Sequence, residues 1–313
     1  MKKIQLLSLA LVASLSISAE NITKLRVWIG GEKTEYELSM VDSLTFFTST
    51  EEDSEPDPEA PLAGTFSVSA DKQVKFSKGN LQYTQSTDTW AFASQQYEYL
   101  GTDNVDNGVL ADKIDLFGWS GNTGSAKWGI SISKDANNYA GYFVDWGQNI
   151  KDGTSWRTLT KDEWVYLFKT RANADTRYGL ARINLSGSAY VNGLIILPDI
   201  WVCPDGITFK SGVSPVYIEG ANKFGTFQTF SQEQWLQLEA AGAIFLPASG
   251  SRGSYTGYND AYITGGQDFG VYWSATPFQL EGAYRLYFDH CNLAPQNYYS
   301  RYDGYSVRLV QDL

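Results

Sequence analysis

The chain predicts an α+β domain, with two helices beside a small, twisted antiparallel sheet and long loops, behind a short β-rich N-terminal module. Three observations carry this. Two segments open with complete helix-start signals, several short segments alternate apolar and polar residues with the period of a strand, and the composition from Gly64 onward is aromatic and glycine-rich.

Residues 1–19 begin with Lys2 and Lys3, continue with an apolar run over 4–12 and close on Ser16, Ser18 and Ala19, the pattern of a secretory signal peptide. The run is too short to span a bilayer comfortably, and no 18-residue apolar stretch follows, so no transmembrane segment is expected. No cysteine follows the small residues, so a lipoprotein anchor is not written there. The expected address is secreted, periplasmic or extracellular, including the cell surface. Residues 20–48 read as a β-hairpin module, because Leu25, Val27 and Ile29, then Tyr36 and Leu38, alternate around Gly30, Gly31 and Glu32. Such a hairpin is marginal alone. Residues 49–63 read as a solvated linker, with six acids, three prolines and no base within 49–62.

Residues 64–313 can bury one sizeable core and are taken as one domain. Strand candidates lie at 66–70, 74–77, 81–84 and 90–93. Gly, Asn and Asp dominate 101–149, with Trp119, Trp128 and Trp146 among them, which predicts long loops pinned by buried tryptophans. Thr160 with Glu163 and Ser231 with Gln234 form capping boxes, and Leu159 with Trp164 and Phe230 with Trp235 form hydrophobic staples. The helices are expected to run to about Arg171 and to stop at Gly242, a left-handed cap. Apolar strands ending in Leu-Pro follow at 193–198 and 243–247. Core positions are expected at Trp164, Trp235, Trp273, Leu286, Phe288, Val307 and Leu309.

The C-terminal stretch carries the functional expectation. Strands at 284–288 and 306–310 bracket a run of Tyr, Asn, Asp, Ser and His, and ten of the twenty tyrosines fall after Gly253. Tyrosine brings contact area at low rotamer cost and small polar residues bring adaptable hydrogen bonds, the composition of a recognition surface. The candidate ligand-binding residues are Asp289, His290, Asn292, Asn297, Tyr298, Tyr299, Ser300, Tyr302, Asp303 and Tyr305.

The formal charge of -11 becomes -13 once Lys2 and Lys3 are removed, and no basic stripe offsets it, which argues against nucleic acid and anionic membrane surfaces. Cys203 and Cys291 could pair in an oxidising compartment, contributing about 4 kcal/mol in the chain-entropy model. His290 stands alone, so neither a histidine metal site nor a Ser-His-Asp triad is expected, and the residue reads as a surface histidine. A structural calcium stays open on Asp103, Asp106, Asp145 and Asp152, although their spacing completes no known calcium loop. The sugar triplets Glu-Pro-Asn and Gln-Pro-Asp are absent, and no carboxylate pair marks a glycosidase.

The strings WRTLTKDEW at 156–164, YWSAT at 272–276, AYRLYF at 283–288 and SVRLV at 306–310 resemble, in order and spacing, the C-type-lectin-like fold. More narrowly they are similar to the branch holding the Fibrobacter major paralogous domain and the formylglycine-generating sulfatase-activating family. The resemblance spans roughly residues 64–313. Thr158 and Leu159 stand where that branch has Leu and Pro, which leaves the staple intact. The N-terminal arrangement resembles cell-surface proteins of gut Bacteroidetes. Variable proteins of diversity-generating retroelements use the same fold, with randomised residues near the C-terminus; the candidate binding residues and Cys291 all belong to the set that adenine-directed mutagenesis yields, whereas Gln296 does not. The branch's enzymes imply a cysteine pair or several histidines, which Cys203, Cys291 and His290 do not match. The expectation is a non-catalytic protein that recognises an extracellular protein or glycan, with a structural role in a surface layer and a cysteine-dependent enzyme as alternatives.

Overall fold

The computed structural model describes residues 24–29, 32–37, 60–150, 156–213, 224–225, 227–254 and 260–313. The expected signal peptide (1–19), nearly all of the linker, Leu38 and Asp152 lie outside the described residues. The chain divides into two compact units, Met1–Glu55 and Pro56–Leu313. In the first, β1 (Lys24–Ile29) pairs antiparallel with β2 (Glu32–Glu37), with Leu25 opposite Tyr36.

The second unit overturns the expected fold class. Its described residues form small sheets of two to four strands, and only one α-helix, α2 (Gln232–Ala240), is sustained, for nine residues. The protein is β-rich, not an α+β C-type-lectin-like domain with two helices. Both capping boxes do form: Thr160 Oγ1 accepts from Glu163 N while Glu163 accepts from Thr160 N, and Ser231 and Gln234 repeat the exchange. A capping box satisfies the first turn and specifies nothing about length. After five residues α1 (Lys161–Val165) widens into a π-turn over Tyr166–Thr170, closed by Arg171 N on Tyr166 O. Arg171 is buried and turns back on Leu167 O and Asp199. The second helix stops at Gly242, whose φ of +93° is the expected left-handed cap.

Strands β3 (Phe66–Ser67) and β4 (Gln73–Phe76) join β10 (Trp156–Thr158) and the last strand, β20 (Leu309–Asp312), in the order β10-β20-β4-β3. Strand β5 (Leu81–Thr84) lies between β6 (Thr89–Phe92) and β9 (Lys113–Ile114), and β7 (Val105–Asp106) pairs with β8 (Val109–Leu110). A third group has the order β13-β11-β12-β14, from β11 (Tyr178–Asn184), β12 (Tyr190–Ile196), β13 (Thr229–Ser231) and β14 (Ile244–Pro247). The two Leu-Pro segments of the sequence are thus antiparallel neighbours, with Leu194 opposite Leu246. Strand β15 (Ser251–Ser254) pairs with β16 (Ala261–Thr264), and β17 (Phe269–Phe278), β18 (Gly282–Asp289) and β19 (Leu293–Ser300) form a meander.

That meander is the partition of the molecule. Alternation sends Tyr272, Leu286 and Phe288 into one core with Phe76, Trp164 and Leu246, and Val271, Trp273 and Ala283 into another with Trp119, Trp146, Val307 and Leu309. A third core under α2 holds Phe230, Trp235, Leu238 and Phe245. The seven side chains expected in the core are each at most 1% exposed. Gly270 sits opposite Phe288, whose ring would lie 2.1 Å from a Cβ there, so the aromatic ring covers the bare backbone.

Leu286→Ala should therefore cost about 2–5 kcal/mol in urea unfolding, through lost burial and a cavity. Ser231→Ala, which removes one cap, should cost about 1 kcal/mol. Equal effects would contradict the placement of the core at the meander.

Candidate functional site

The run expected to bind a ligand begins at the turn between β18 and β19. Asp289 Oδ1 accepts from Cys291 N at 2.9 Å and Asn292 N at 2.8 Å, which folds 289–292 as an Asx turn. Burial pushes the Asp289 carboxyl up, but these bonds, with those from Asn292 and Tyr287, outweigh it and leave the group below the ordinary carboxylate range. The Tyr287 hydroxyl donates to Asp289 Oδ2 at 3.0 Å; burial first and then that carboxylate push its phenol up.

His290 is 4% exposed, which corrects the expectation of a surface histidine. Asp289, His290 and Cys291 bring a carboxylate oxygen, an imidazole nitrogen and a sulfur within 4.8 Å of one another, a donor set that suits zinc and is the only such cluster among the described residues. Asp289 already accepts from Cys291, Asn292 and Tyr287, so a metal would compete with the turn that positions it. The pairing left open by the sequence is not formed: Cys203 and Cys291 are thiols, Cys203 donating to Ile207 O within its own loop and Cys291 accepting from Asn292. Nor, among the described residues, do the proposed calcium ligands Asp103, Asp106 and Asp145 converge. Asp103 and Asp106 are exposed, while Asp145 caps Gly147 and accepts from Thr158 N and Oγ1.

Along β19 successive side chains point to opposite faces, so the run is not one continuous surface. Tyr298 stacks on Phe278 with ring centres 3.8 Å apart and meets Tyr284 edge-on. Tyr299 and Asn297 point the other way, towards Arg285, whose Nε donates to Asn297 Oδ1 at 2.9 Å and whose guanidinium lies 4.7 Å from the Tyr299 ring and 4.5 Å from the Tyr305 ring. The sequence reading missed Arg285; its signal was a cation at an inward position between Ala283 and Tyr287.

Tyr305 is 2% exposed, bridged to Phe117 and packed on Trp273, so it belongs to the core and not to a ligand surface. Asp303 also faces inward. Burial pushes its carboxyl to about 6, against the pull of Arg285, Arg252 and Lys134. Tyr302 is half-buried.

What remains exposed forms a groove. Tyr298 and Tyr299, each about half exposed and on opposite faces of the strand end, both border, with Ser300, Phe278 and the β17–β18 turn residues Leu280 and Glu281, an open depression of about 630 Å³. Leu280 is 87% exposed. The turn is held from below by Arg301, 3% exposed, which donates to Gly282 O and Gln279 O and lies over Trp119. Of the expected binding residues, the structure thus gathers Tyr298, Tyr299 and Ser300, leaves Asp289 and Asn292 at the opposite end of β19, and buries His290 and Tyr305.

A family model described as a domain of unknown function (DUF8237) matches residues 209–310, a span that includes α2, the meander and this groove. No curated protein and no solved structure matches the chain.

Asp303 gives a pH prediction. Its folded value lies above the ordinary one near 3.9, so the folded state holds the proton more tightly; the stability it contributes is complete below about pH 4 and is lost as pH rises through about 6. Asp303→Asn removes that dependence. Urea unfolding of both proteins should show the wild type losing stability relative to the variant between about pH 4 and 6, and a constant difference would contradict the burial of this carboxyl.

Proposed function

We propose that the protein is a non-catalytic recognition protein acting outside the cytoplasm, and that the groove between the β17–β18 turn and the end of β19 takes a segment of a partner protein. The observation that carries this is the exposure of Leu280 beside Tyr298 and Tyr299 on a rigidly held turn. Exposed tyrosines around a pocket are the composition of a binding hot spot, and Leu280 beside them extends the apolar patch, whereas isolated surface apolar residues need no explanation. Glu281 is the charged residue lining the groove, so the favoured segment carries an apolar side chain next to a basic one. The lysine-led apolar segment at 1–19 supports the address, and no helix among the described residues is long and apolar enough to cross a membrane. No arrangement of nucleophile, base and orienting group accompanies the groove, which favours binding over catalysis.

If this surface is diversified, variation should fall at Tyr298, Tyr299, Ser300 and Asn297 and spare the buried His290 and Tyr305, and a near-copy of the encoding DNA should lie beside a reverse-transcriptase gene.

The direct test is selection of a random peptide library on the full secreted chain. Enriched peptides should share an apolar-basic pair, and Leu280→Ser or Tyr298→Ala should weaken them roughly tenfold or more with little change in melting temperature, since surface replacements usually stay within about 0.5 kcal/mol. Failure to enrich any peptide, or equal binding by both variants, would refute the reading.

A further inference from the structure

A second surface, on the loops between β5 and β10 and remote in sequence from the groove above, is built around Trp128. Its backbone is left-handed, with φ +58° and ψ +13°, a conformation that bulky side chains rarely adopt and that persists only where the surroundings hold it. They do so here. Trp128 O accepts the indole N–H of Trp146 at 2.8 Å, Gly129 N donates to Ala126 O, and Gly129 O accepts from Gly118 N. The result is an indole, only half-buried, standing as a ridge between two depressions.

Lys127 and Trp128 line both. On one side lies a depression of about 430 Å³ walled by Tyr83, Trp90, Asp88 and Asn149. On the other lies one of about 360 Å³ walled by Ser120 and Asn122. Tyr83 and Trp90 have ring centres 4.5 Å apart, and Trp90 meets Trp128 edge-on at 6.2 Å. The Tyr83 hydroxyl donates to Asp88 Oδ1 at 3.1 Å, which fixes the carboxylate at the rim.

A residue lining each depression also carries a buried polar atom that the fold leaves without a partner. Asn149 Nδ2 is buried and makes no hydrogen bond, and Ser120 Oγ, in a residue 1% exposed, makes none either. Buried polar groups are paired in nearly all structures, so one unpartnered donor and one unpartnered hydroxyl at the walls of adjoining depressions require an account.

We propose that this surface binds a neutral oligosaccharide, with sugar units on both sides of the Trp128 ridge. The negatively charged faces of the aromatic rings attract the polarised C–H groups of a pyranose, while Asp88, Asn149 and Ser120 match its hydroxyls as acceptor, donor and either. Stacked aromatics also suit the bases of a single-stranded nucleic acid, but a chain of formal charge -11 with only Lys127 at this surface repels a phosphate backbone and, equally, an anionic glycan. The site is independent of the proposed peptide groove.

The test is calorimetric titration of the full chain with cello-, manno- and malto-oligosaccharides from one to six units. At least one series should bind, with affinity rising from the monosaccharide to the trisaccharide as the ridge is spanned. Trp128→Gly, which keeps the carbonyl that holds Trp146, and Asp88→Gly, at an exposed position, both replace residues of positive φ (+58° and +49°) with the residue that accepts it, and should each weaken binding roughly tenfold or more while the circular dichroism spectrum is unchanged. Leu280→Ser should leave it unaltered. Binding of no series, equal binding by both variants, or loss of binding in Leu280→Ser would overturn the proposal.

Discussion

The structure depends on indole N–H groups that tie loops to the meander. Trp273 on β17 donates to Phe117 O at 2.7 Å, and Trp119, two residues on from Phe117, donates back to Ser274 O at 3.0 Å. Trp146 donates to Trp128 O at 2.8 Å and so ties two parts of the loop region to each other. In the residues 101–149, which contain little ladder, these bonds replace the hydrogen bonds a sheet would supply, and each ring adds a large apolar area to the core. A phenylalanine would supply an apolar ring, smaller than the indole, but no donor to fix where the chain runs.

Buried arginines perform a related task at the C-terminus. Arg301 satisfies carbonyls on both sides of the β17–β18 turn, and Arg285 gathers Asn297, Tyr299 and Tyr305 around one guanidinium. A planar group with five donors can hold several irregular carbonyls at once, which a lysine cannot. The exposed side chains of the groove therefore stand on a preorganised base, the condition under which a small surface loses little entropy on binding.

Much of this was legible in the sequence because it follows from local rules. The capping boxes, the left-handed Gly242, the strand alternation at Leu286 and Phe288 and the pinning of the tryptophan-bearing loop each depend on a few neighbouring residues. The fold class was not, since a capping box marks only where a helix starts, while α1 widens into a π-turn that ends at Arg171, whose guanidinium bonds Leu167 O and, far along the chain, Asp199. The site was half legible. Composition pointed to the tyrosine-rich run, but which tyrosines face solvent depends on strand phase and on Arg285, and composition ignores both: Tyr298 is exposed whereas Tyr305, in the same run, is core. The Trp128 surface gave no signal at all beyond one tryptophan among glycines, because its ridge exists through a backbone conformation that side-chain identity does not announce.

The central claim, that indole hydrogen bonds hold the loops in register with the meander, is tested most directly by native-state hydrogen exchange on the wild type and Trp273→Phe. The substitution keeps an aromatic ring in the core, removes the donor to Phe117 O and trims part of the buried indole, a packing loss that global stability reports. The amides of Phe117, Trp119 and Tyr305, each bonded across this junction, should exchange at near-global rates in the wild type and lose protection in the variant by more than the change in global stability. Protection at those three amides that falls only in step with global stability would contradict it.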